Sequence, residues 1–205
     1  STWTGFSPDD YGVEVENVVD DTRKITGVLD RLYGDITMQN VAGSMTMQIW
    51  PDVATLALNQ MIGIGTDAVG TGGRLTDGQG NLILVRSYSI QHYHISRNEY
   101  LEHSGMMVNR ATIRCSGGDP KLKVAYDFIG QIERVPGSFT RPTMPAQASF
   151  ELSDLTLTID GVSEPNIESF EIVVDNNLEA SEPRDTSRNI KWIDSGIRDI
   201  TLRFD

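Results

Sequence analysis

The 205 residues predict a mainly β fold: an antiparallel β-sandwich or barrel with one short flanking α-helix. Three observations predict it. Several segments alternate apolar and polar residues with the period of two that a half-buried strand requires. Only one segment carries a helical period. Turn residues such as Asp160-Gly161 and Asn176-Asn177 separate the alternating runs.

Residues 1–22 carry six acids (Asp9, Asp10, Glu14, Glu16, Asp20, Asp21), no Lys or Arg, and the aromatics Trp3, Phe6 and Tyr11 set among polar residues. This composition predicts an acidic N-terminal arm that docks on a partner, with the three aromatics as inter-subunit contact candidates. Residues 23–205 are expected to form a single domain.

In 43–50, Met45, Met47 and Ile49 fall on one face and Ser44, Thr46 and Gln48 on the other. Pro51 follows, a residue tolerated in the first turn of a helix because its missing N–H would be unpaired there anyway. Val53, Leu56, Ala57 and Met61 then mark one face of a short helix that Gly63 ends. Residues 63–81 hold seven glycines and almost no large apolar side chain, which predicts a long loop, with Gly72 and Gly73 as further inter-subunit contact candidates. No Gly-Lys-Ser/Thr follows these glycines, so they do not form a phosphate cradle.

Strands are expected at 82–95 and 107–115. The clearest runs over 121–133, where Leu122, Val124, Tyr126, Phe128 and Ile132 are apolar and the odd positions mostly polar. Residues 136–147, with three prolines, read as a linker. In 150–159 the apolar positions switch from even (Phe150, Leu152) to odd (Leu155, Leu157, Ile159), which predicts a bulge at Ser153-Asp154. Residues 167–174 return as a strand, 175–196 read as a polar loop, and Ile200, Leu202 and Phe204 pattern a last strand.

Lys plus Arg total 17 and Asp plus Glu 29, a formal charge of −12. Such a balance argues against a dedicated nucleic-acid reader, which needs clustered cations to neutralise phosphates. It does not argue against a surface that DNA must pass without sticking. The single Cys115 allows no intrachain disulfide and suggests assembly in a reducing cytoplasm. No apolar run approaches the ~20 residues of a membrane span, and residues 1–22 have neither the basic nor the apolar region of a signal peptide.

One cluster raises an enzyme alternative. His92 and His94, two apart in a strand, share a face, and Glu99 follows five residues later, with His103 and Gly105 beyond. Two same-face imidazoles and a carboxylate suit adjacent coordination positions of a transition metal. The spacing resembles the first metal motif of cupin barrels and implies a metal-dependent cupin-like enzyme using His92, His94 and Glu99. The pattern then departs: Arg86 stands where a glycine is expected, and no histidine follows His103. Cys115 has no neighbour that marks it as activated, and no Gly-x-Ser-x-Gly elbow is present. The preferred expectation is no enzyme, no cofactor and no metal.

Four stretches, taken in order, resemble the tail tube (major tail) proteins of long-tailed, siphophage-type bacteriophages. They are the strand, proline and helix of 43–58, the Tyr100–Ile113 stretch with Gly105, the strand 122–130 ending in glycine, and 167–179 followed by a loop and 196–202. The likeness spans roughly residues 25–205. It implies a structural virion protein of the phage tail, assembled in the host bacterial cytoplasm as homo-hexameric rings that stack into a tube for DNA passage. Its implied partners are itself, the tape measure, tail terminator and distal tail proteins, and genomic DNA in transit, with no membrane. A conduit for DNA should not hold it, so its lumen should carry polar and acidic side chains. On the wet faces of the predicted strands these are Thr46, Gln48, Asp127, Gln131, Glu133, Glu171 and Asp175, the lumen-facing candidates. Lys121 and Lys123 share the first of those faces and are expected near a rim or paired with acids. Residues 1–22 and 63–81 have too few large apolar groups to offset an ordering entropy of roughly 1–2 kcal/mol per residue without a neighbour, so assembly is expected to order both. Deleting residues 66–80 is therefore expected to leave a folded, soluble protein that no longer stacks; electron micrographs showing normal tubes from the deletion would contradict this.

Overall fold

The computed structural model describes residues 8–20, 35–62, 85, 87–94, 98–136, 139, 147–164, 167–180 and 189–205. Trp3, Phe6, the glycine-rich 63–81 with Gly72 and Gly73, and the side chains of Leu56 and His94 lie outside the described residues.

The first half of the chain contributes β1 (Asp10–Tyr11), β2 (Glu14–Asp20), β3 (Asp35–Gln48), helix α1 (Pro51–Ile62), β4 (Tyr88–His94) and β5 (Glu99–Ser116). The second half contributes β6 (Asp119–Gly130), β7 (Ile132–Arg134), β8 (Leu157–Ile159), β9 (Val162–Glu164) and β10 (Ser169–Asp175). The last elements are β11 (Leu178–Ala180), β12 (Ile193–Ser195) and β13 (Asp199–Phe204). Nine of these strands join one antiparallel network in the order β1-β3-β6-β5-β10-β13, with β2 on β3 and β4 and β7 on β5; β8–β9 and β11–β12 are separate pairs. The mainly β, antiparallel class is thus present, with one α-helix among the described residues. The network curls back on itself, because Tyr11 of β1 packs its ring 4.4 Å from that of His92 on β4, several strands away.

The alternating pleat sorts the side chains. Met45 and Met47 of β3, Leu122, Val124, Tyr126 and Phe128 of β6, and Ala111, Ile113 and Cys115 of β5 all point into one buried cluster. Helix α1 adds Ala57 and Met61 to that cluster, and the buried Val53, four residues before Ala57, lies on the same stripe. Tyr126 is fully buried, and its hydroxyl donates to the Ala57 carbonyl at 3.2 Å. Burial pushes that hydroxyl well above the usual phenol range, so it remains a donor.

Four expectations are corrected. Residues 10–20 do not wait for a neighbour to become ordered: β1 and β2 pair with β3 of the same chain. Their link crosses β3 at Gly43 (φ +154°), where a Cβ would run into the Gly12 backbone. The strand foreseen over 121–133 breaks at Gln131, whose N–H turns to the Ser104 carbonyl (3.1 Å), and the chain resumes as β7 on the other half of β5. At Ser153-Asp154 the parity changes through a single 3₁₀ turn rather than a bulge. There Glu151 and Asp154 each accept the other's end of the turn in a capping box. The loop foreseen over 175–196 contains the paired strands β11 and β12.

The end of α1 is held from this last region. Asn176, 2% exposed, donates through Nδ2 to the carbonyls of Met61 (3.0 Å) and Val108 (2.9 Å) and accepts from Arg198 Nε at 2.6 Å. Arg198 Nη1 in turn donates to the Ile62 carbonyl at 3.0 Å. Two of the carbonyls that every helix leaves unpaired are satisfied in this way. Asn176→Ala is expected to destabilise the fold by about 2–4 kcal/mol, because it strands carbonyls of α1 and β5 and removes the acceptor of Arg198. The exposed Thr158→Ala should stay within about 0.5 kcal/mol; equal losses in denaturant titrations would contradict the assignment.

Candidate conduit face and assembly edge

The face of the main sheet away from α1 is a grid set by strand register. One row reads Gln48, Lys123, Arg114, Glu171, Arg203 across β3, β6, β5, β10 and β13. The next row, two residues along each strand, reads Thr46, Ala125, Thr112, Val173, Thr201. A third reads Ser44, Asp127, Arg110, Asp175, Asp199. Neighbours within a row sit about 5 Å apart and rows about 7 Å apart. Cations dominate the first row, the middle row is uncharged, and acids dominate the third.

Five of the lumen-facing candidates, Thr46, Gln48, Asp127, Glu171 and Asp175, therefore share one face. Gln131 and Glu133 do not. Gln131 donates to the Lys191 carbonyl at 3.0 Å, and its side chain fills the space beside Gly105, a left-handed residue (φ +69°) in β5. Glu133 is the partner of a buried histidine. Nε2 of the fully buried His103 lies 2.8 Å from a Glu133 carboxylate oxygen, and its Nδ1 lies 2.8 Å from the Tyr11 hydroxyl. Burial, and secondarily the Glu133 charge, push the Tyr11 hydroxyl above the usual phenol range, so it stays a donor. Tyr11, expected as a contact to another subunit, is thus engaged within its own chain.

The metal alternative can be placed as well. His94 and Glu99 are cross-strand partners in the β4–β5 hairpin, while the ring of His92 stacks on that of His103 with centroids 5.2 Å apart. No group of three or more His, Cys, Asp or Glu side chains among the described residues is arranged to hold a metal ion. Cys115 is buried in the core cluster, where burial pushes its thiol upward and away from the reactive thiolate.

Two features went unnoticed in the sequence. The first is the arginines of the grid, Arg110, Arg114 and Arg203. The second is that the last strand, foreseen from Ile200, Leu202 and Phe204, is a sheet edge among the described residues: every residue of β13 is exposed, and these three side chains, about half exposed, extend the apolar face past Phe170 and Ile172.

Beside the His103 cluster, buried Glu102 accepts from Gln91 Nε2 (2.6 Å), Ser104 Oγ (2.9 Å) and the Arg134 guanidinium. Burial alone would raise its pKa, yet these donors hold the carboxyl below the usual range. A lowered folded-state value means that its stabilisation is fully present above the ordinary carboxylate pKa and is lost as pH falls through the lowered one. Glu102→Gln should cost about 1–3 kcal/mol at neutral pH, and its gap to the wild type should narrow on acidification. A gap that widens in acid would contradict this.

The family model described as phage tail tube protein matches residues 83–205, which span β4 to β13 and hence most of the charged grid and the whole exposed edge. No curated protein matches the chain. With more than half of its length covered by that model, the chain belongs to the phage tail tube proteins, structural components of the virion tail.

Proposed function

We propose that this protein assembles head to tail into rings, hexameric as the family resemblance implies, and that the rings stack into the tube through which phage DNA passes. It acts as a structural protein and not as an enzyme. It is assembled in the host cytoplasm and meets the tape measure, tail terminator and distal tail proteins at the tube's ends.

The observation that carries this reading is β13. Among the described residues it is the last strand of the antiparallel sheet, paired with β10 on one side only, and its apolar side chains are about half exposed. Exposed apolar edges invite pairing with another chain, and monomeric proteins normally blunt them. The opposite edge of the sheet, at β1 and β2, differs in sequence from β13, so a contact between unlike edges is heterologous and closes into a ring when the rotation permits. In such a ring the charged grid, with Thr46, Gln48, Asp127, Glu171 and Asp175, lines the lumen, and α1 lies on the other side of the sheet.

Leu202→Asp places a charge in the middle of the apolar stripe while leaving the exposed strand's contacts within its own chain largely intact. The variant is expected to stay folded by circular dichroism and to sediment as a monomer under conditions where the wild type forms rings or tubes. A wild type that remains monomeric at high concentration, or a Leu202→Asp variant that assembles normally, would overturn the reading.

A further inference from the structure

The face assigned to the lumen is not the cation-free surface that a simple repulsion argument calls for. Eight lysines and arginines fall among the described residues, and five of them (Arg110, Arg114, Lys121, Lys123, Arg203) lie on this one face of a strongly acidic protein. Each has a carboxylate beside it. Lys123 reaches Asp119 at 2.8 Å and Asp9 at 3.8 Å, Lys121 meets Glu151, and Arg203 reaches Glu171 at 3.3 Å. Arg114 stands next to the same Glu171 in register, and Arg110 stands between Asp127 on β6 and Asp175 on β10. The register also sets Lys123 beside Arg114 and Asp175 beside Asp199, like charges directly across from one another, which sheet stability disfavours. Folding alone does not call for that arrangement.

We propose that this face is a charge-compensated sliding surface for duplex DNA, in which carboxylates on neighbouring strands hold the arginines back from the phosphates. The proposal rests on the tube reading above. A bare guanidinium would take up phosphate with release of counterions, and a tube repeats each such contact in every copy, so even a weak brake would multiply. A purely acidic wall would instead repel the duplex along its whole length. A carboxylate on the adjacent strand, whose backbone runs about 5 Å away, lies inside the screening length of about 8–10 Å and offsets the field of its neighbouring arginine at a passing phosphate. The uncharged middle row separates the cation-rich row from the acid-rich one, so neither sign forms a continuous track along the strands.

The test uses tubes assembled in the presence of a fluorescently labelled linear duplex, pelleted and washed at about 0.1 M salt. Two variants free different arginines: Asp127→Asn with Asp175→Asn frees Arg110, and Glu171→Gln frees Arg114 and Arg203. Wild-type tubes should retain little duplex. Either variant should retain about tenfold more, with retention falling steeply as salt is raised, and adding Arg110→Gln to the first variant should restore release. Variant tubes that retain no more duplex than wild type, or retention that survives Arg110→Gln, would overturn the proposal. Failure of both variants to assemble while the wild type does would assign these carboxylates to assembly and overturn it too. A wild type that forms no tubes in any condition would instead refute the tube reading, and the proposal would fall with it.

Discussion

The register between β5 and its two neighbours, β6 and β10, is the constraint on which everything else depends. Side chains alternate across a sheet, so pairing Ala111 with Tyr126 and Val174 also places Arg110 with Asp127 and Asp175 on the opposite face. A slip of β5 by one residue would turn Arg110 and Arg114 into the core against Tyr126 and Val124, and leave Ala111, Ile113 and Cys115 in water. Burying unpaired charges costs far more than any single strand pairing returns, so the register has no close competitor. The apolar core and the charged grid are the two sides of one choice.

Two irregularities in β5 let this single strand serve both halves of the fold. At Gly105 the backbone takes a left-handed conformation and the side chain of Gln131 fills the vacant Cβ position. Near Asn109 the pairing with β6 shifts by one residue, and the spare Asn109 turns its backbone carbonyl to the Asn176 N–H (2.7 Å) and its side-chain oxygen to the Leu178 N–H (2.8 Å). The bulge therefore anchors the segment that in turn holds the end of α1. On the far half of the strand, His103 and Glu102 are buried with their hydrogen bonds made, which ties β1, β4 and β7 into one body. The tube proposed above calls for a building block that is stiff in its sheet and reactive at its edges, and the bonded polar groups together with the exposed β13 suit that reading.

Much of the fold was legible because its periodicities are local. The alternation of 43–50, 121–130 and 167–174 and the four-residue spacing of Val53, Ala57 and Met61 each involve residues that lie on one element. What failed was long-range. Glu133 and Gln131 carried the right parity, but the chain breaks between Gly130 and β7 and re-aims both side chains, Glu133 toward a histidine 30 residues earlier. Nothing near Tyr11 in sequence announces His103 as its partner, so composition alone places it with the arm aromatics. The arginines were within reach: Arg110, Thr112 and Arg114 alternate with Ala111, Ile113 and Cys115 as plainly as any strand of the chain, and that pattern alone places them on the wet face. Their position among carboxylates of β6 and β10 could come only from the register.

The central claim is that the sheet's charged face looks inward in a tube of head-to-tail copies. A helical reconstruction of wild-type tubes by electron cryomicroscopy tests it most directly. The account predicts β13 paired with the opposite sheet edge of the next copy, its apolar stripe covered, and Arg110, Asp127 and Asp175 bordering the central channel. A map with α1 bordering the channel and the Arg110 row on the outer surface would contradict it.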